Sequence, residues 1–109
     1  MVDTSYVPDR GDIVWLNFSP QSGHEQAGHR PGLALFCPIT SSVKGYPFEV
    51  ALTTAGAVSG VVLSDQLKSL DWRARRVRFE CRTTPQVMWE VTEKLRVLFG
   101  ADLPDEEHR

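Results

Sequence analysis

Hydrophobic and polar positions along this chain follow two rhythms, and the change from one to the other divides it. Asp12 to Phe18, DIVWLNF, is short, rich in β-formers and bracketed by Pro8-Asp9-Arg10-Gly11 and Ser19-Pro20, which predicts a strand between turns. Leu33 to Ile39, Phe48 to Leu52 and Val61 to Leu63 are further strand candidates, with Gly45-Tyr46-Pro47 as punctuation. Arg76 to Arg82 reads R-V-R-F-E-C-R and sets Val77, Phe79 and Cys81 on one face, the period of a half-buried strand. Thr84-Pro85 then opens a helix: a threonine suited to the N-cap, a proline in the first turn, and Val87, Met88, Val91, Leu95 and Leu98 recurring at three and four until Gly100. Residues 1–100 are therefore expected to form one α+β domain, a curled antiparallel sheet capped by a C-terminal helix. The remainder, ADLPDEEHR (101–109), is an acidic tail with little to bury.

Composition narrows the picture. At 109 residues and 41% hydrophobic the chain can bury a modest core, and a second copy would add to it. It has neither an apolar run of membrane-spanning length nor a signal-peptide pattern, so a cytoplasmic location is expected. Cys37 and Cys81 lack paired spacing and read as reduced thiols. Trp15, Trp72 and Trp89 read as core or interface anchors. The net charge is only −2, but five arginines crowd RARRVRFECR between Arg73 and Arg82. That cluster suits either a polyanion patch or the solvated face of a strand.

The segment from Ser19 to His29 is long for a connection, and it runs into GHEQAGHRP, from Gly23 to Pro31. Two histidines and a glutamate suggest zinc, but a zincin helix needs its histidines four apart on one face. Here they are five apart, among Gly23, Gly28 and Pro31, so neither a metal site nor a cofactor is expected. Glu25, His29 and Arg30 do supply a proton acceptor, a proton donor and a forked permanent cation. Such a kit can cut RNA without metal, because the substrate's own 2′-hydroxyl is the nucleophile. On residue types alone a surface turn remains the plainer reading of the loop.

Longer motifs are more specific. Pro8-Asp9-Arg10-Gly11-Asp12-Ile13-Val14-Trp15 with Phe18-Ser19-Pro20, the GHEQAGHRP loop, Lys44-Gly45-Tyr46-Pro47-Phe48-Glu49-Val50, Gly60 to Gln66 and Lys68 to Arg75 follow one another in an order that closely resembles the MazF/PemK toxins, the RNA-cleaving half of toxin–antitoxin pairs. The resemblance implies a small SH3-like antiparallel β-barrel with a C-terminal helix and a homodimer. It implies cleavage of single-stranded mRNA at short sequences to 2′,3′-cyclic phosphate and 5′-hydroxyl ends, and a MazE-like antitoxin as partner. Arg30 matches the family's essential arginine and Thr40 its hydroxyl partner in Pro-x-Thr. Glu25 and His29 match loop positions tied to activity, and are assigned here as base and acid. Phe18, Ser41, Lys44, Lys68, Arg73 and Arg75 match or neighbour RNA-contact positions, by phosphate attraction and by base stacking on Phe18. In charge, the acids Asp105 to Glu107 resemble antitoxin segments and could shield the arginine strand, although a solvated tail is the simpler expectation.

One departure stands out. Family members carry roughly a dozen more residues between the His-Arg-Pro and Pro-x-Thr elements, enough for a strand and a turn. Here Pro31 runs directly into Gly32 and on to Thr40. If Leu33 to Ile39 were one extension, ten residues at about 3.3 Å each would put Arg30 and Thr40 up to ~33 Å apart, too far for one phosphate. The intact flanking motifs favour residues left out of the sequence, most simply between Pro31 and Gly32, over a true deletion. A true deletion would instead make the chain a weak nuclease, or a barrel that binds RNA or antitoxin without cutting.

Overall fold

The computed structural model describes residues 6–18, 32–52 and 58–100. Among the described residues, seven strands and one helix follow in order: β1 (Asp12–Trp15), β2 (Leu33–Phe36), β3 (Ile39–Thr40), β4 (Glu49–Ala51), β5 (Val61–Leu63), β6 (Lys68–Asp71), β7 (Arg78–Arg82) and α1 (Pro85–Leu98), with a 3₁₀ turn at Ser64–Gln66. All pairing is antiparallel and falls into three sheets, β1 with β7, β2 with β6, and β3–β5–β4. The α+β class and the C-terminal helix are as expected, but among the described residues the three sheets are not joined into a closed barrel.

Two expectations about the chain after Pro31 need correction. The 109-residue sequence is continuous there, so the shortening belongs to this chain and no residues have been left out. Nor is Leu33 to Ile39 one extended strand. It breaks at Cys37-Pro38, with Leu33–Phe36 paired to β6 and Ile39–Thr40 paired to β5. Pro38 has no N–H to donate to a ladder, and its carbonyl instead accepts from Leu63 N at 2.9 Å.

The core sits between the three-stranded sheet and α1. Val50, Val62, Val87 and Val91 are buried together, with Cys37, Ile39, Leu52 and Leu95 packed around them. Val50 is 1% exposed. Burial raises the Cys37 thiol above its ordinary pKa, with the nearby Asp65 charge adding to the effect. Thr84 caps α1 as expected, its hydroxyl accepting from Val87 N at 3.2 Å. Of the three tryptophans only Trp72 is in the core, while Trp15 and Trp89 are exposed. On β7 the expected apolar face is only half covered. Phe79 is 50% exposed and meets the Tyr6 ring edge-on, and beside its partner Val14 the strand β1 is irregular, with a register shift between Ile13 and Val14.

A cleft of about 1180 Å³ opens between β1, β2, β3 and α1, bordered by Trp15, Leu35, Phe36, Ile39, Val87 and Leu95 among others. A dry void costs about 24 cal/mol per Å³, so even a third of this volume left empty would cost roughly 9 kcal/mol. That rivals the whole stability of a domain, about 5–15 kcal/mol. Among the described residues the space is therefore an open cleft, not a sealed cavity.

The small core concentrates stability in few positions. Val50→Ala is expected to lower unfolding free energy by about 2–3 kcal/mol in urea titrations. Ser64→Ala, also fully buried, should be neutral or stabilising, because among the described residues its hydroxyl has no hydrogen-bond partner to lose.

Candidate nucleic-acid interface

The loop bearing Glu25, His29 and Arg30 lies outside the described residues, as does the acidic tail. What the structure positions is the remainder of the expected site: Phe18, Thr40, Ser41, Lys44, Lys68, Arg73 and Arg75.

Thr40 ends β3 opposite Val61. Its hydroxyl accepts from Ser42 N at 3.1 Å, a local turn that occupies a lone pair and leaves the O–H as a donor. The backbone beside it is crowded. Gly60, at φ +116°, approaches so closely that an added Cβ would collide with the Thr40 carbonyl and lie 2.9 Å from Ser41 Cα. Only glycine tolerates both that φ and that contact.

Residues 41–47 are exposed throughout and carry Ser41 and Lys44. No apolar side chain of this stretch is buried, so polar contacts hold it. Lys44 N and Gly45 N both donate to the Glu49 carboxylate, and Glu49 N donates back to the Tyr46 carbonyl at 3.1 Å.

Phe18, Ser41 and Lys68 all border the same cleft. Phe18 is 64% exposed, with the Arg75 guanidinium 5.8 Å from its ring centroid. Arg75 is not the surface cation the arginine cluster suggested. It is 9% exposed and clasps Asn17: its Nη1 donates to the Asn17 carbonyl at 3.0 Å, and Asn17 N donates to the Arg75 carbonyl at 2.8 Å. Its geometry is that of a support for the Asn17–Phe18 backbone. Arg73 is exposed and lies over the Trp72 ring at 5.2 Å, beside Gly32 at the far end of the β2–β6 pair, away from the cleft lining. Arg82 is committed to Asp12 at 2.8 Å and to the Arg10 carbonyl at 2.8 Å. The cluster thus divides into supports and exposed cations.

Three residues that hold the candidate interface in shape carry no sequence signal of that role. In the sequence Glu49 and Gly60 are only members of longer motifs, and Asn17 acts through its carbonyl, which no side-chain pattern reveals.

Comparison with known proteins gives a consistent result. Residues 9–99 match the family described as PemK-like, MazF-like toxin of type II toxin–antitoxin system. The chain is 42% identical over 108 residues to the endoribonuclease toxin MazF of Escherichia coli K12, covering 87% of this chain and 96% of that one. It is 34% identical over 107 residues to the endoribonuclease toxin ChpB of the same strain, covering 83% and 92%. Among solved structures, MazF from Deinococcus radiodurans superposes with a TM-score of 0.74 at 49% identity, covering 87% of this chain and 98% of that chain. A MazE–MazF complex from the same organism gives 0.75 at 49% identity, covering 87% and 97%. For the E. coli MazF match, 87% of this chain is about 95 residues against an aligned span of 108. The shortfall of about a dozen residues has the size of the segment expected between Pro31 and Thr40.

Gly60→Ala should displace Thr40 and Ser41 and destabilise the fold by more than about 1 kcal/mol. Thermal unfolding, with the amide resonances of Thr40 and Ser41 as a local reporter, checks this.

Proposed function

Because this chain belongs to the PemK-like, MazF-like toxin family of type II toxin–antitoxin systems, we propose that it is a metal-independent, sequence-specific endoribonuclease that cleaves single-stranded mRNA and is neutralised by a MazE-like antitoxin. The observation that carries this reading is the 42% identity to an endoribonuclease toxin across nearly all of that relative, with the loop Gly23 to Pro31 and the Pro38-Ile39-Thr40 element both present. A MazE–MazF complex among the structural neighbours supports the antitoxin as partner. A homodimer in the cytoplasm completes the reading, and no helix of the described residues is long and apolar enough to cross a membrane. In these terms the three sheets are an SH3-like barrel opened where the chain is shortened.

The reaction is a transesterification. Glu25 as base takes the proton of the ribose 2′-hydroxyl, the 2′-oxygen bonds to phosphorus, and the bond from phosphorus to the 5′-oxygen breaks. His29 as acid returns a proton to that leaving oxygen, giving 2′,3′-cyclic phosphate and 5′-hydroxyl ends. Arg30 and the Thr40 O–H stabilise the charge that builds on the phosphoryl oxygens. Phe18 offers a face for a base, while Ser41, Lys44, Lys68 and Arg73 meet the backbone. Arg75, buried on Asn17, serves by holding Phe18 in place.

The shortened segment favours a second reading, a barrel that binds RNA or antitoxin but cuts weakly. One experiment separates the two. Purified chain incubated with mixed RNA and EDTA should generate new 5′-hydroxyl ends, and Arg30→Ala should slow that cleavage by about 10²–10³-fold while RNA binding persists. Binding without new ends establishes the second reading, and cleavage unchanged in Arg30→Ala refutes the catalytic assignment.

A further inference from the structure

Within the expected interface, the exposed loop Ser41–Tyr46 has a defined shape without any apolar anchor. The Thr40 hydroxyl holds its start through Ser42 N, and at its other end one side chain gathers the backbone. The two oxygens of Glu49 receive three hydrogen bonds from consecutive backbone amides, Lys44 N at 3.3 and 3.1 Å and Gly45 N at 2.9 Å. Gly45 is in the left-handed region at φ +80°, so the two N–H groups converge into a concave nest of the kind that binds anions. Here the nest is already filled by the chain's own carboxylate, and it cannot also cradle a phosphate. Its contribution to an RNA interface is therefore to aim the Lys44 side chain, which leaves the loop immediately beside the clamp.

Glu49 is well placed for this. It lies in β4, paired to Leu63 of β5, while Thr40 at the other end of the loop is paired to Val61 of the same strand. The clamp thus refers the loop to the strand that also holds the proposed catalytic hydroxyl. We propose that Glu49 is a positioning residue for the RNA interface, its carboxylate holding the Ser41–Tyr46 loop in the shape that presents Lys44 to the RNA backbone. This rests on the RNA-cleaving or RNA-binding reading above.

The sign of the effect makes the role testable. Glu49 is a negative charge beside a surface meant for a polyanion, so charge alone predicts that removing it tightens binding. Positioning predicts the opposite. The probe is a fluorescein-labelled, mixed-sequence oligonucleotide with 2′-O-methyl groups, which cannot be cleaved, measured by anisotropy at fixed salt. Glu49→Ala should weaken binding by about five- to tenfold, the scale of losing charge-assisted hydrogen bonds, and should accelerate amide exchange at Lys44 and Gly45. Glu49→Gln, which keeps one acceptor and removes the charge, should fall between the two. In a Lys44→Ala background the Glu49→Ala effect should shrink to less than about twofold, because a residue acting through Lys44 has nothing left to aim.

Binding unchanged or tighter in Glu49→Ala overturns the proposal, as does an equal loss with and without Lys44. Loss of affinity in Glu49→Ala accompanied by a lowered unfolding midpoint is decided by Glu49→Gln and the Lys44 cycle, since a merely structural defect would not depend on Lys44. If the unaltered chain fails to bind the oligonucleotide, the RNA reading itself falls and this role with it, while amide exchange still reports separately whether the clamp exists.

Discussion

The proposed interface depends on the pairing of Val61–Leu63 with a strand on each side. One edge of this strand holds Ile39–Thr40 and the other holds Glu49–Ala51. Everything exposed between them, residues 41–47, is tethered at both ends to the same three residues. Because antiparallel pairing sets which residues face each other, the separation of Thr40 from Glu49 is fixed by register, not by the loop's own preferences. The loop then needs only short-range bonds to acquire a shape. Ser42 N to the Thr40 hydroxyl supplies one at the start, and the Glu49 carboxylate supplies the rest at the end. Beneath this sheet Val50 and Val62 pack on Val87 and Val91 of the helix.

A second support works through charge in a different way. Arg75 is nearly buried, and its guanidinium donates to the Asn17 carbonyl and lies against the Phe18 ring, contacts that offset the cost of taking a cation out of water. Both the acidic and the basic support use side chains to bind backbone. In each case the residue that meets solvent, Lys44 or Phe18, is adjacent in sequence to a backbone group that is held. Rigid presentation from an exposed segment is thereby obtained without burying the presented group.

Much of this was legible in the sequence where local chemistry decides. The helix was, because Thr84, Pro85 and an apolar repeat act within one turn of each other. Strands rich in β-branched residues were also visible. Lys68–Asp71, KSLD, was not, since it is a strand only by virtue of pairing with Leu33–Phe36, more than thirty residues earlier. The break at Cys37-Pro38 could have been read from the proline, but the absence of the usual neighbouring strand made one long extension look necessary. At the site, residue identity marked Thr40, Ser41 and Lys44. It could not sort the arginines, because whether Arg75 faces water or Asn17 depends on a turn at Asp71–Val77 that brings distant backbone under it.

The shortened segment falls on one half of the proposed site and spares the other. Thr40, its glycine neighbour Gly60, the clamped loop and the valine core all belong to β3–β5–β4 and α1, which pack on each other. The chain before Gly32 is the part that must reach this sheet, and in this molecule it arrives through β2, paired along Lys68–Asp71 in a separate sheet. Along β2 the chain runs from a residue opposite Asp71 to one opposite Lys68 before it bends into Ile39–Thr40. Gly32 therefore sits at the end of β2 remote from Thr40, on the side of Asp71 and Arg73. Shortening the chain between Pro31 and Thr40 thus leaves the Thr40 hydroxyl, its backbone neighbour Gly60 and the clamped loop in place, because the pairing that fixes them runs through β5 and not through β2.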